Sequence, residues 1–299
     1  MYGWVLTRLA QDLVNAHTGY APLDETKPTL YVQNEATAEL LSRTVTANSK
    51  VLKSFKVSRE HPALKSAVKP GMTLDALATL GIQDPAMAWT VFQALWTELT
   101  ATSPASGFEK DFQRRPPILV TVDGLAHWMK DSEYRSAEFN PIHAHDLVFV
   151  KHFLSLLQPG SQGSSLPNGG VLLYATSTSN APSVYAFDVA LQQLKARTAG
   201  ENPTNAAFPQ PDVYKKPDMR VINAFASPSS KASKEGRLQL QTLNGLSRDE
   251  TRGFMEYFAR SGLLREAVND EMVGEKWSLS AGGVVGELEK LGKRLRVIA

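Results

Sequence analysis

The 299-residue sequence contains no cysteine, which excludes disulfide bonds, thiolate metal centres and cysteine nucleophiles and fits a reducing compartment best. It has no apolar run near the roughly 18–20 residues that a membrane-spanning helix needs. Net charge is also small: 32 basic residues face 30 acidic ones, a formal +2, so no global field draws the chain onto nucleic acid or a membrane surface. Any such contact has to be local. The opening MYGWVLTRLAQDLVNAH carries neither a secretory n-region nor the positive charge of a transit peptide. There is no GxxxxGK[ST] phosphate loop, since GEKW and LGKR lack the first glycine and the hydroxyl residue. There is no G-x-S-x-G nucleophile elbow either, which removes the usual serine hydrolase arrangement.

What is present is the composition of a folded protein, 42% hydrophobic and 21% charged, with enough chain for one large core or two domains. Trp4 to Leu9 (WVLTRL) is predicted as a strand, and the spacing of Leu40, Leu41, Val45, Val51 and Leu52 predicts a helix over 36–55. A stronger helix is expected over 85–100, where Trp89, Phe92, Leu95, Trp96 and Leu99 recur at three- to four-residue intervals. The run ILVTV, 118–122, and a second run, 171–175, have little polar alternation and are predicted as buried strands of a parallel sheet. Asn140 and Pro141 suit the cap and first turn of a helix reaching to about Leu157. Strand, helix, strand in that order makes a βαβ crossover and an α/β layered core. Residues 198–236, rich in Pro, Asn, Ser and Lys, read as an extended or partly mobile insertion. LQLQTL, 238–243, alternates like a strand, and Ser247 with Glu250 forms a capping box that opens a helix faced by Phe254, Tyr257, Phe258 and Leu263.

The run ILVTV ends on Asp123, at the end of a strand where α/β sheets place their ligands. In P-loop nucleotidases a carboxylate there orders magnesium through water, and a following carboxylate orients the attacking water. Gly124 stands in that second position. The other reading is a plain Asp-Gly turn. If the 171–175 strand lies alongside, Thr176 and Ser177 bring hydroxyls next to Asp123, the kind of group that contacts the terminal phosphate in ATPases of the AAA+ type. Without a phosphate loop there is no cluster of N–H groups and no lysine for the β- and γ-phosphates, so this chain is not expected to hold nucleotide tightly.

Other residues support blander readings. His143, His145, Asp146 and His152 are not spaced to converge on a metal from one helix face, and they are expected as solvent-facing imidazoles near a helix entry. Basic clusters at Arg114 and Arg115, at Lys215 and Lys216, and at Lys290, Lys293, Arg294 and Arg296 are possible phosphate contacts for RNA. An ordinary solvated helix face is the other reading of the last group, where Glu287 and Glu289 are interspersed.

Taken in order, GWVLTRLAQDLVNAHTGYAPL, ILVTVDGLAHW, IHAHDLVFVKHFLSLL, VLLYATSTS and GLSRDETRGFMEYFARSGLL span nearly the whole chain. This set resembles the death-associated protein 3 family of mitochondrial small-subunit ribosomal proteins, in a fungal form. The resemblance implies an α/β fold of the P-loop NTPase, AAA+-like kind, a parallel sheet flanked by helices. It implies a core over 1–245 with the insertion at about 198–236, and a small C-terminal helical lid over 246–299. Family members bind GTP, GDP or ATP with magnesium. Here the first strand and the phosphate loop are absent, so no cofactor is expected in this chain, and an N-terminally incomplete product is expected. The absent strand is central in that sheet order, so the 238–243 strand should either lack its partner or pair directly with 171–175.

The implied role is a structural, non-enzymatic component of the mitochondrial small ribosomal subunit, acting in translation in the matrix. Its partners would be ribosomal RNA and other mitochondrial ribosomal proteins, with no membrane and no DNA. Asp123, Thr176 and Ser177 would be remnants of a nucleotide site, and Gly124 in place of a second carboxylate agrees with poor hydrolysis. The alternative is an active GTPase, ATPase or nucleotide switch whose phosphate loop is missing from this sequence.

Overall fold

The computed structural model describes residues 5–9 (backbone), 14, 19–26, 29–69, 71–110, 112–157, 165–177, 179, 181–226 and 238–293. The strand predicted at the start is β1, Val5–Leu9. A two-residue ladder follows, β2 (Ala21–Pro22) antiparallel to β3 (Tyr31–Val32).

Three helices come next: α1 (Asn34–Ser54), α2 (Leu74–Gln83) and α3 (Ala88–Leu99). Helices α1 and α3 form where the spacing of large apolar residues predicts, α2 stands where no helix was expected, and α1 packs on α2, α3 and β1. Helix α1 is kinked at Asn48, whose side-chain amide donates to the Thr44 carbonyl and so competes with the helical ladder. Helix α2 starts where the Thr73 hydroxyl accepts the Ala76 N–H, and the turn before α3 starts on Asp84 followed by Pro85. Trp89, Phe92, Leu95 and Leu99 of α3 are buried as expected.

Strand β4 (Ile118–Val122) is the middle of a three-stranded parallel sheet. Its neighbours are β1 on one side and β7 (Gly170–Tyr174) on the other, aligned so that Leu9, Val122 and Tyr174 share one row. The molecule is therefore mixed α/β with a small parallel sheet. Ile118, Val120 and Val122 are buried, while Leu119 and Thr121 are only partly covered. Strand β7 differs from expectation. Among the described residues it is an edge, and Val171 and Leu173 are 47% and 55% exposed. An apolar run marks a strand but does not show whether its second face has a cover.

Between β4 and β7 lies a hairpin that replaces the first part of the expected helix. Strand β5 (Asp131–Arg135) pairs antiparallel with β6 (Pro141–His143), and helix α4 (Val148–Ser155) begins only after them. Asn140 and Pro141 close a turn at Ser136, whose backbone N–H donates to the Asn140 carbonyl. The alternation along β5, with Ser132 and Tyr134 buried, settles the strand. Helix α4 meets the sheet through Tyr174, whose hydroxyl donates to the Phe153 carbonyl at 2.6 Å.

After β7 come α5 (Tyr185–Thr198) and α6 (Met219–Ala224), which pack together. The insertion is thus anchored: Phe208, Val221, Ile222 and Phe225 are buried. Residues 227–236 of it lie outside the described residues.

Clustering of contacts separates a second compact unit, residues 177–181 and 240–299, from the unit that holds the sheet. It contains α7 (Arg248–Arg260), α8 (Asp270–Leu279) and α9 (Val285–Gly292) around Met255, Phe258, Leu264, Met272 and Leu288. The capping box forms as read: the Ser247 hydroxyl accepts the Glu250 N–H, and the Glu250 carboxylate accepts the Ser247 N–H at 2.8 Å. Phe258 is buried, but Tyr257 and Leu263 are exposed, and Met255 takes the inner position instead. Residues 238–243 form no strand and Leu243 is exposed, so the expected strand is absent, as is its direct pairing with β7.

Candidate functional site

The strand ends set the geometry. Because β4 and β7 run parallel and in register, Asp123 and Ala175 leave the sheet together. The Ala175 N–H donates to the Val122 carbonyl at 2.8 Å, and the Leu125 N–H donates to the Ala175 carbonyl at 2.9 Å. Those two bonds tie the Asp123–Gly124 turn to the end of β7 and bring Thr176 to the same end of the sheet as Asp123. Both side chains are exposed.

Gly124 takes a left-handed conformation, φ 71° and ψ 37°, which glycine adopts without strain. It feeds a short 3₁₀ turn, Leu125–Met129, in which Leu125, Ala126, Trp128 and Met129 are buried. The turn reading of Asp-Gly therefore describes the backbone, and Asp123 remains exposed at the strand end. Ser177 is counted with the second unit, where its hydroxyl lies 3.1 Å from that of Ser179. For a nucleotide with magnesium, the sheet-bearing unit offers here the Asp123 carboxylate and the Thr176 hydroxyl at one end of the sheet. The sequence supplies no glycine-rich loop with a lysine to accompany them, so they do not by themselves make a phosphate site.

The basic residues separate. Arg114 is exposed, but Arg115 is buried and cannot reach RNA. Its guanidinium donates to the Glu98 carboxylate at 2.7 Å and to the carbonyls of Lys56 and Glu98 at 2.7 and 3.0 Å. It also lies over the rings of Phe55 and Phe112. Glu98 further accepts the N–H and hydroxyl of Ser58 and lies 3.1 Å from His61 Nε2. Burial alone would raise the Glu98 pKa, but the hydrogen bonds from His61 and Ser58 and the Arg115 charge outweigh it and hold the carboxyl below its ordinary value.

Lys215 and Lys216 are exposed, with Lys215 Nζ 4.9 Å from the centroid of the Tyr185 ring. Lys293 pairs with Glu289 one helical turn earlier, and Lys290 with Glu287 at 2.8 Å, the arrangement of a solvated helix face. Arg294 and Arg296 lie outside the described residues.

The histidines are not solvent-facing. His143 is buried, its Nδ1 accepts the His145 N–H at 3.1 Å, and the two rings meet edge to face at 4.6 Å. Burial, then the His143 ring and Arg220, push the His145 pKa down to about 4. His152 sits among Phe92, Trp96 and Phe153, edge-on at 5.0–5.2 Å, and burial alone pushes its pKa to about 4. Helical spacing hid this: α4 begins at Val148, so His152 takes the inward face that Trp89, Phe92 and Trp96 of α3 line. Among the described residues no group of His, Asp and Glu could hold a metal ion, and no helix is long and apolar enough to cross a membrane.

Sequence reasoning passed over one surface feature, the exposed Val213 and Tyr214 beside the lysine pair. The signal for it was a Val-Tyr-Lys-Lys run between prolines with no apolar partner at helical or strand spacing.

Residues 3–291 match the model of the family described as mitochondrial ribosomal death-associated protein 3. The chain is 39% identical over 293 residues to the small ribosomal subunit protein mS29 of Neurospora crassa, an alignment that covers 97% of this chain and 56% of that protein. The chain thus spans a little over half the length of that relative.

Proposed function

The chain belongs to the mitochondrial ribosomal death-associated protein 3 family, and from that premise we propose that it is a structural component of the mitochondrial small ribosomal subunit. It acts in translation in the matrix, with ribosomal RNA and other ribosomal proteins as partners. The observation that carries this reading is the 39% identity maintained over 97% of the chain to a protein named for that subunit.

The reading includes a scaffold of the P-loop NTPase, AAA+-like kind, supported by three parallel strands in the order β1-β4-β7 and by Asp123 at the carboxyl end of the middle one. For the family's nucleotide, GTP, GDP or ATP with magnesium, the residues we assign are Asp123, Thr176 and Ser177, and the sequence supplies no GxxxxGK[ST] loop to accompany them. We therefore assign the chain no hydrolytic activity and no tight nucleotide site of its own.

The test is sedimentation of the tagged chain from mitochondrial lysates, with equilibrium dialysis of the purified chain against GTP and ATP in magnesium. Co-migration with the small subunit is the expected result, and migration as a free protein would sink the ribosomal assignment. Micromolar nucleotide binding by the purified chain would overturn the degenerate-site reading.

A further inference from the structure

The segment between α5 and α6 carries an aromatic and two cations on a fixed mount. Its near side is pinned by buried Phe208, which lies under the Arg197 guanidinium at 5.5 Å, and by Gln193, which donates to the Pro209 carbonyl at 3.0 Å. The Asp212 N–H donates to the Tyr185 hydroxyl at 2.5 Å. The Asp212 carboxylate accepts the Tyr214 N–H at 2.9 Å, and the Lys215 N–H closes the turn on the Asp212 carbonyl at 3.1 Å. On the far side Asp218 caps α6 and pairs with Arg220. The backbone of 212–215 is therefore held, while Val213 and Tyr214 stand 92% and 96% exposed.

Exposure on this scale gives folding nothing, since a ring in water contributes no burial. The two acids that bracket the lysines are already engaged, Asp212 with the turn and Asp218 with α6 and Arg220. No carboxylate pairs with Lys215 or Lys216 among the described residues. The result is an exposed ring followed in the chain by two exposed lysines, the Lys215 ammonium lying 4.9 Å from the centroid of the Tyr185 ring.

We propose that Val213–Lys216 binds an unpaired stretch of RNA, with Tyr214 stacking on a base and Lys215 and Lys216 meeting the flanking phosphates. The proposal rests on the ribosomal reading for the identity of the polymer as RNA. Aromatic platforms with adjacent cations are how single strands are held without sequence readout. Duplex RNA keeps its base faces stacked inside and offers such a ring nothing to stack on. A protein partner is the poorer fit, because lysines are depleted from the desolvated centres of protein interfaces.

The test is fluorescence anisotropy of the purified chain with a labelled oligoadenosine strand of roughly twelve nucleotides, within the usual site range, and with an RNA hairpin. The single strand should bind more tightly than the hairpin. Tyr214→Ala should weaken it roughly 5- to 160-fold while Tyr214→Phe stays close to wild type. The Lys215→Ala/Lys216→Ala double variant should lower the slope of log affinity against log salt by about 1.4, because each phosphate left without its lysine removes about 0.7.

Equal binding by Tyr214→Ala, equal binding of the hairpin, or no binding to either would overturn the proposal. A Tyr214→p-benzoylphenylalanine variant, irradiated in small subunits, should give a nuclease-sensitive adduct. A protein adduct, or none, would also overturn the proposal. The anisotropy results on the purified chain are independent of the ribosomal reading, which fails only if the wild-type chain does not sediment with the subunit, and the crosslink is read only where it does. Tyr214 makes no buried contact, so unchanged thermal unfolding of the variants is expected and serves as the folding control.

Discussion

The Arg115 guanidinium lies 2.7 Å from the Glu98 carboxylate with neither side chain exposed, and the other hydrogen bonds of the two groups go to α3 or to the 56–61 segment. This ion pair is paid for in desolvation, and its net contribution to stability is modest. Breaking it is a different matter, because the surviving charge stays buried without its partner. Arg115→Ala is expected to destabilise the sheet-bearing unit by about 3–5 kcal/mol in denaturant titrations. Arg114→Ala, one residue away and exposed, is expected to change stability by less than about 0.5 kcal/mol. Equal effects from the two would contradict the burial of Arg115.

Acid should weaken this fold before its carboxylates titrate. His145 and His152 are held neutral down to about 4 in the folded chain, whereas in the unfolded chain they take up protons near 6.5. Between those values the unfolded state binds more protons, so stability rises with pH across the window and falls as pH drops from about 6.5 to about 4. Each such histidine accounts for on the order of 3 kcal/mol over the full window. Glu98 acts lower: its depressed pKa gives stability that is present above the ordinary carboxylate range and lost only as pH falls through its folded value. His152→Phe keeps a ring among Phe92, Trp96 and Phe153 and removes one titrating group. The variant's melting temperature should therefore fall less steeply between pH 6.5 and 4 than the wild type's, and parallel curves would refute the neutral, buried assignment.

Two glycines of the second unit should respond to alanine with opposite signs. A Cβ on Gly245 would lie 2.1 Å from the Gly282 carbonyl oxygen and 2.8 Å from the Gly283 carbonyl carbon, both backbone atoms. That approach sits beside the bonds from the Leu246 N–H to the Gly283 carbonyl and from Trp277 Nε1 to the Leu246 carbonyl, each 2.8 Å. Gly245→Ala is expected to cost about 1–3 kcal/mol, seen as faster hydrogen exchange at residues 246–283. Gly253, inside α7, has nothing within 4 Å of the same position, and Gly253→Ala should slow exchange along α7 by about 0.5–1 kcal/mol.

What the sequence revealed was what local physics decides. The apolar run 118–122, the aromatic spacing of α3 and the Ser247–Glu250 box each carry their determinants within one element, and each formed as read. The β5–β6 hairpin was hidden because Asn140-Pro141 opens a helix as readily as it closes a turn. The choice falls to Tyr134, whose ring meets that of Tyr20 at 4.6 Å with the planes tilted by 54° and whose hydroxyl accepts from Gln33, and those contacts are distant in sequence. Likewise Arg114 and Arg115 are identical as letters, and only the position of Glu98 sends one inward. At the candidate site the juxtaposition of Asp123 and Thr176 was readable from two apolar strands separated by a crossover. The exposure of β7 was not, since nothing in Val171 to Tyr174 reports what lies beside it.

Phe139 shows the same limit from the opposite direction. It occupies the tip of the β5–β6 hairpin at φ 63°, a left-handed conformation, while 84% exposed. Its N–H donates to the Ser136 carbonyl at 3.0 Å, and the Ser136 hydroxyl accepts from Glu138 and Asn140, so the turn imposes the conformation. For a residue with a Cβ this costs about 1–2 kcal/mol, and no burial of the ring offsets it. Glycine removes that strain but gains about 0.5–1 kcal/mol of unfolded-state freedom. Phe139→Gly should therefore be neutral or stabilising by up to about 1 kcal/mol in chemical denaturation. Phe139→Pro should be destabilising, because it removes the N–H and cannot adopt a positive φ. A loss above about 1 kcal/mol in the glycine variant would mean that the ring is packed in solution, and the exposed tip would then have to be redrawn.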